Sequence, residues 1–215
     1  MHSRTPATIP PHPDAIIVSQ TRAWTGRFAV DLIRFRHRRF DGAMSEPRTW
    51  ELWRRGRAVA LVPYDPITDR VVLIEQFRLP ALAAGLAPVM VEIPAGLVED
   101  GEAPEPAMHR ELQEETRMEA DRLLRIGTFL LTAGASDETV EIFAGRVTAP
   151  AAGPDGIVGT AGARAEGEDI RIRVWPAAKA IGHAIAGDFP NSVTTIGLLW
   201  LAAKRDTLRE QWSKP

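Results

Sequence analysis

Residues Gly96–Met118, GLVEDGEAPEPAMHRELQEETRM, hold the pattern from which the rest of the chain can be read. The second half carries Arg110-Glu111-Leu112-Gln113-Glu114-Glu115. Residues three and four apart share one face of an α-helix, so Glu111, Glu114 and Glu115 are expected side by side, with Arg110 one turn before Glu114. Carboxylates crowded on one face repel each other unless cations compensate, and a single arginine does not balance three of them. A divalent metal would, because Mg²⁺ takes oxygen ligands of this kind and often shares them with substrate phosphates. The helix alone also permits a plainer reading, a solvated acidic face.

The spacing narrows that choice. Gly96 is followed after five residues by Glu102, and after seven more by Arg110-Glu111-Leu112-x-Glu114-Glu115. This resembles the Nudix box, G-x5-E-x7-R-E-U-x-E-E-x-G-U, in which U is aliphatic. Charged residues at fixed spacing over so long a stretch rarely arise by chance. One position departs: the final glycine of the pattern is Arg117 here. A glycine after a helix is suited to a left-handed backbone. An arginine there costs roughly 1–2 kcal/mol if the backbone stays left-handed; otherwise the helix runs one turn further. Neither outcome moves Glu111 or Glu115.

Composition sets the outer bounds. With 215 residues, 45% hydrophobic and 25% charged, the chain can build one sizeable domain or a domain with a small extension. A net charge of -2 gives no reason to expect nucleic acid or a membrane as a bulk partner. The absence of cysteine removes a disulfide framework and a thiolate zinc site. No apolar run reaches membrane-spanning length and the N-terminus lacks the apolar core of a signal peptide, so the cytoplasm is the expected compartment. Residues 1–14 are Pro-rich and expected to form a disordered tail.

Residues 15–19 read as a short strand. Residues 24–39 read as a second, with Leu32, Ile33, Phe35 and His37 interleaved with Arg34, Arg36 and Arg38. A period of two argues for a strand with one basic face. The arginines invite a nucleic-acid reading, which the negative total charge opposes. Residues 48–53 form a third strand-like piece. Together they predict a small antiparallel sheet over residues 15–56, ahead of a main domain over 57–215. In that domain, residues 58–62 and 71–77 are expected to pair as a hairpin across the Pro63-Tyr64-Asp65-Pro66 turn. Residues 80–88 read as an Ala/Gly-rich loop, and 89–93 as a strand leading into Pro94-Ala95-Gly96. Pro104 and Pro106 suit the first turn of the carboxylate helix, where a missing N–H costs nothing.

Further strands are expected at 123–131, 140–147 and 170–175. Between them, residues 148–167 read as a long Gly/Ala/Pro loop, of the kind that is functional or disordered. Helices follow at 176–186 and 192–212, the last capped by Asn191 or Ser192. Strands with helices inserted and appended give an α+β class.

The resemblance extends beyond the box. Glu92-Ile93-Pro94-Ala95-Gly96 is similar to the lead-in of the ADP-ribose pyrophosphatase branch of the Nudix family. So is Thr132-Ala133-Gly134-Ala135-Ser136-Asp137-Glu138, although many members have Ser-Pro-Gly where this chain has Thr-Ala-Gly. Glu166-Gly167-Glu168-Asp169-Ile170-Arg171 fits the same branch. The resemblance implies a Nudix α/β/α sandwich, an N-terminal sheet engaged in a domain-swapped homodimer, and Mg²⁺-dependent cleavage of ADP-ribose to AMP and ribose 5-phosphate, with Mn²⁺ as the alternative ion. It implies metal ligation by the Ala95 carbonyl, Glu111, Glu115 and Glu168, with Glu166 as general base. Glu114 is implied as a further or supporting ligand, Arg110 as the group that orients a carboxylate, and Glu102 as a support of the loop–helix structure.

For the substrate, Arg78 matches a phosphate-contacting arginine of the branch, and Trp50, in Arg-Thr-Trp-Glu, resembles an adenine-stacking tryptophan. Trp24 is the candidate opposing platform, within the chain or from the other subunit. Arg27 is a candidate contact to ribose or phosphate. Two rival readings stay open. One is hydrolysis of another nucleoside diphosphate sugar, GDP-mannose among them, or of NADH. The other is a non-catalytic nucleotide sensor, which the full set of box carboxylates opposes.

Overall fold

Alternation in the N-terminal quarter becomes three antiparallel strands in the computed structural model, which describes residues 8–163 and 167–213. These are β1 (Ala15–Thr25), β2 (Ala29–His37) and β3 (Arg48–Arg54), in the order β1-β2-β3. β1 runs well past residue 19 and takes up Trp24, which the alternation had placed on the second strand. Register shifts between Ile17 and Ser19 and between Arg22 and Trp24 let β1 keep pairing with β2 although its side-chain alternation falls out of step. Buried Asp31 on β2 accepts hydrogen bonds from Gln20 and Arg22, and Arg54 of β3 lies 3.6 Å away. Of the basic residues on β2 and just beyond it, Arg36 donates to the Ser45 carbonyl and Arg38 to Asp14.

The chain divides into two compact units. The first holds these strands, residues up to Arg57, together with Leu130–Thr139; the second holds Ala58–Phe129 and the chain from Val140 onward. Leu130–Thr139 joins the first unit through backbone bonds, Trp53 N to Ala135 O at 2.8 Å and Thr139 N to Gly56 O at 3.2 Å. The backbone N–H of Arg55 donates to Asp137 Oδ1 and its guanidinium pairs with Glu138, each at 2.8 Å.

The second unit is built on β4 (Arg57–Asp65), β5 (Arg70–Phe77), β6 (Val89–Glu92), β7 (Ala95–Leu97), β8 (Arg122–Leu130), β9 (Thr139–Arg146), β10 (Ile157–Ala161) and β11 (Ile170–Pro176). Its helices are α1 (Leu79–Ala83), α2 (Pro104–Thr116), α3 (Ala177–Ala186) and α4 (Ser192–Trp212). The strands lie in the order β10-β11-β5-β4-β9-β8, with β6 on β5 and β7 on β4.

β4 buries Val59 through Asp65 in unbroken succession, the signature of a strand covered on both faces. Val59 and Leu61 pack with Met108 and Leu112 of α2. On the opposite face α4 comes so close at Gly197 that an added Cβ would stand 2.7 Å from Val62 and 3.2 Å from Ile93. Helices on both faces of a mixed sheet make the α+β sandwich expected.

Three expectations need correction. Residues 80–88 are not all loop: Leu79–Ala83 forms the single turn α1, with Pro in its first turn and Gly85 at φ +76° beyond its end. Residues 148–167 contain β10, because the exposed edge of β11 offers Ile157–Ala161 a pairing partner that composition does not reveal. Ala95–Leu97, read only as a lead-in, forms β7 because it pairs with β4. The remaining strands and helices fall within a few residues of the sequence reading, including the cap of α4, where the Asn191 side chain accepts from Thr194 N at 2.9 Å.

The split between β4 and β5 prepares the site. The two strands pair only near their hairpin, at Tyr64–Val71 and Asp65–Arg70. Further along, β6 pairs with β5 through Glu92 and β7 pairs with β4 from Ala95. Residues 92–95 therefore cross from one strand to the other, anchored midway by Leu61 N donating to Pro94 O at 2.9 Å.

Candidate active site

α2 starts with Pro104 at its first position and ends with Thr116. Arg117 follows at φ 59°, ψ 27°, a left-handed residue whose N–H still donates to Gln113 O. The helix therefore stops where the box pattern puts its glycine, and an arginine adopts the glycine conformation. Glu111 and Glu115 lie one turn apart and face the crossing at residues 92–95. Ala95 N donates to Glu115 Oε2 at 2.9 Å. Gly96 is needed for contact rather than for turning: an added Cβ would stand 1.8 Å from the Glu111 carboxyl carbon.

Burial sets the electrostatics of this pair. Glu115 is 2% exposed, and burial raises its pKa well above the ordinary carboxylate value, despite the Ala95 N–H and with Glu111 and Glu168 adding to the rise. Glu111 is pushed up to about 7, again mainly by burial, with Arg110 opposing and the charges of Glu114 and Glu168 adding. Both groups thus stand where a second positive charge would be strongly welcome.

Arg110 makes the local frame. Its guanidinium reaches Glu102 at 3.0 Å, the Leu97 carbonyl at 3.0 Å and Glu111 at 2.8 Å, with the more exposed Glu114 at 3.4 Å. One arginine thus ties the loop after β7 to the helix. His109 is exposed.

The segment before β11 approaches the same helix. Gly162 N donates to Glu114 O at 3.2 Å, and Ala163 N donates to Glu168 Oε2 at 3.0 Å. Glu168 is near enough to Glu111 and Glu115 to act on both by charge. Glu166 lies outside the described residues. Arg78, just after β5, also acts by charge on Glu115, and its Nε donates to the buried Glu92 at 2.8 Å. The second unit therefore brings together Arg78, Ala95, Arg110, Glu111, Glu114, Glu115 and Glu168.

Trp50, Trp24 and Arg27 belong to the first unit. Trp50 is 52% exposed, packs edge-on against Phe35 at 5.5 Å between centroids, and lines a cavity of about 140 Å³ with Ile33, Leu52 and the Ala133–Ser136 segment. Trp24 is 65% exposed and its indole lies over Gly26, where a Cβ would stand 2.8 Å from Nε1. Arg27 lies 5.8 Å from the Phe28 ring centroid.

The NUDIX domain model matches residues 54–186. The chain belongs to the Nudix family. Among its relatives is an ADP-ribose pyrophosphatase of Escherichia coli, 36% identical over 200 residues that make up 93% of each chain. Another ADP-ribose pyrophosphatase, from Haemophilus influenzae, is 33% identical over 204 residues, 94% of this chain and 92% of the other. A crystal structure of an ADP compounds hydrolase superposes with a TM-score of 0.65 at 20% identity, covering 94% of this chain and 98% of that one, which bears out the fold.

The Nudix box chemistry can be tested against these residues. Among the described residues no group of three or more His, Asp or Glu side chains converges closely enough to hold an ion as they stand. Glu111 is engaged by Arg110 and Glu115 by Ala95 N–H. The donor set itself fits a hard divalent ion: oxygen atoms only, Glu115 buried and Glu111 largely covered, and too little positive charge around them. Sequence reasoning missed Glu92 and Asn191, which meet each other beside Arg78. Glu92 was visible in the lead-in motif and Asn191 as a helix cap, but no local signal joins positions so far apart.

Proposed function

We propose that this Nudix protein hydrolyses the pyrophosphate of ADP-ribose to AMP and ribose 5-phosphate in a reaction dependent on Mg²⁺. The observation that carries the reading is buried Glu115, held by the Ala95 N–H, with the largely covered Glu111 one turn before it, in a chain aligned over 93% of its length with an ADP-ribose pyrophosphatase. Glu111, Glu115, Glu168 and the Ala95 carbonyl would hold the metal. When bound, it supplies charge neutralisation at the diphosphate and acidifies water.

The chain's own residues supply the rest. A pyrophosphate repels an attacking water oxygen by its negative charge, and Arg78 offsets part of that charge. The water oxygen bonds to one phosphorus, the bridging P–O bond breaks, and the bridging oxygen leaves with the other phosphate. Glu166 is the proposed base that takes the water proton, and Arg110 holds Glu111 in place. Glu114, near the solvent edge, is the proposed supporting carboxylate. On the first unit, Trp50 is the proposed adenine platform, with Trp24 and Arg27 as further substrate contacts.

We assign a homodimer with the cytoplasm as its compartment. The support for the dimer is the three-stranded sheet, which leaves Ile16, Val18, Trp24 and Leu32 exposed. No helix among the described residues is long and apolar enough to cross a membrane.

The deciding experiment is a panel of nucleoside diphosphate compounds with Mg²⁺, in which a coupled phosphatase releases inorganic phosphate from the products. ADP-ribose should be the preferred substrate, yielding AMP and ribose 5-phosphate in equal amounts. A clear preference for GDP-mannose or NADH would overturn the substrate assignment.

A further inference from the structure

Glu92 is a carboxylate 3% exposed, and it does not belong to the box. Its two oxygens have different partners. Oε2 accepts from Arg78 Nε at 2.8 Å, while Oε1 accepts from the side-chain amide of Asn191. That amide is itself locked: Asn191 Oδ1 accepts from Thr194 N at 2.9 Å as the cap of α4, so its NH₂ must face Glu92. The neighbouring Ile93 N donates to Thr194 Oγ1 at 3.1 Å, which fixes β6 to the same helix turn. A chain of hydrogen bonds thus runs from the first turn of α4 through Asn191 and Glu92 to Arg78.

We infer that Glu92 and Asn191 are positioning residues that aim the Arg78 guanidinium at the diphosphate of the substrate, an inference that rests on the hydrolase reading above. The geometry supports it in three ways. First, the bond to Glu92 uses Nε, and among the described residues no side chain engages the Nη groups, which carry four of the five guanidinium donors. Those donors form the fork that recognises phosphate oxygens two at a time. Second, the charge of Arg78 acts on Glu115, one of the carboxylates proposed to hold the metal, so the tethered guanidinium is on the same side of the site. Third, an untethered arginine must lose considerable side-chain freedom on binding substrate, whereas a tethered one is already ordered.

A buried carboxylate beside a phosphate-binding cation also weakens its pull on anions. What Glu92 adds is therefore direction more than attraction. Catalysis depends on donors being in place where charge develops, so loss of the tether should lower kcat more than it alters KM.

Glu92→Gln tests this. A glutamine that accepts from Arg78 turns its NH₂ against the NH₂ of Asn191, so one of the two contacts must break. With ADP-ribose and saturating Mg²⁺, kcat should fall about ten-fold with KM within about two-fold. In an Arg78→Ala background the same substitution should change kcat less than two-fold, because its effect passes through Arg78. The double substitution Glu92→Gln with Asn191→Asp exchanges donor and acceptor: the glutamine amide can donate to the new carboxylate, which still caps Thr194 N. It should recover kcat to within about three-fold of wild type. An equal loss in both backgrounds, or no recovery in the exchanged pair, would overturn the inference and leave Glu92 a purely structural residue.

The substrate reading fails separately. If the wild type prefers another compound in the panel, that reading is wrong, and the same cycle is measured on the preferred compound. The Arg78 Nε–H signal in nitrogen-edited NMR needs no substrate at all. It should be slow to exchange in wild type and the exchanged pair; fast exchange in wild type would refute the tether.

Discussion

Glu111→Gln should stabilise the metal-free protein at alkaline pH while abolishing its activity. Burial pushes the Glu111 pKa from an ordinary 4.5 to about 7. The folded state therefore holds a proton between these values that the unfolded chain has released. Stability then falls as pH rises through this window, because the native state binds more protons than the unfolded one. The stabilising proton is fully in place below the unfolded value and lost above about 7. The shift of roughly 2.5 units corresponds to about 3 kcal/mol at 1.36 kcal/mol per unit. Only 13% of the Glu111 side chain is exposed, so solvent screening reduces this little.

A neutral glutamine of the same shape carries no such penalty. At roughly 2–4 °C per kcal/mol for a chain of this size, it should melt about 6–12 °C higher than wild type at pH 8 in EDTA, and level with it near pH 5. Differential scanning fluorimetry across pH 5–9 in EDTA measures this. Glu115 is also raised and remains in both proteins, but the charge of Glu111 contributes to that rise, so the difference between the curves reports Glu111 together with its coupling to Glu115. Adding Mg²⁺ at pH 8 should raise the wild-type midpoint and leave that of Glu111→Gln nearly unchanged. Parallel pH curves for the two proteins in EDTA would refute the reasoning that burial, rather than Arg110, controls this carboxylate.

Arg117→Gly should stabilise the protein by about 1 kcal/mol, since the left-handed backbone costs arginine roughly 1–2 kcal/mol and glycine gives some of that back in the unfolded chain; a lower melting midpoint would show that the Arg117 side chain makes a compensating contact. Glu115→Gln should lower turnover by roughly two orders of magnitude or more at saturating Mg²⁺, through loss of a metal ligand, with an unchanged circular dichroism spectrum; near-wild-type turnover would contradict its role. Glu166→Gln should depress kcat without changing the Mg²⁺ titration, and Glu168→Gln should raise the Mg²⁺ needed for half-maximal rate. Equal loss of kcat in both with no shift in the titration would remove this division of labour. Trp50→Ala should raise KM for ADP-ribose more than it lowers kcat, by roughly 1–3 kcal/mol of base stacking; an unchanged KM would place adenine elsewhere.

Much of the candidate site was legible before any coordinates because its key relations are local. Glu111 and Glu115 share a face by the geometry of one helical turn, and Pro104 marks the start of that helix. Gly96 and Ala95 come from the same box and lead-in, as do Glu102 and Arg110. The strands β4 and β5 announced themselves as apolar stretches, β9 and β11 as further short strands, and α4 by its cap. Local signals could not place β10: Ile157, Val158 and Thr160 favour a strand, but the Gly/Ala/Pro run around them hides so short a stretch, which forms because the edge of β11 is there to pair with. Nor could they show that Leu130–Thr139 belongs with the N-terminal sheet, which depends on bonds to Trp53 and Gly56 some eighty residues away. The sequence determined which carboxylates stand together; only the tertiary structure decided their chemistry. The α2 face packs over the split between β4 and β5 and removes Glu111 and Glu115 from water, and that desolvation raises their pKa values. Glu92 and Asn191 are 99 residues apart and meet beside Arg78 because α4 returns across the sheet, a long-range closure that no window of sequence contains.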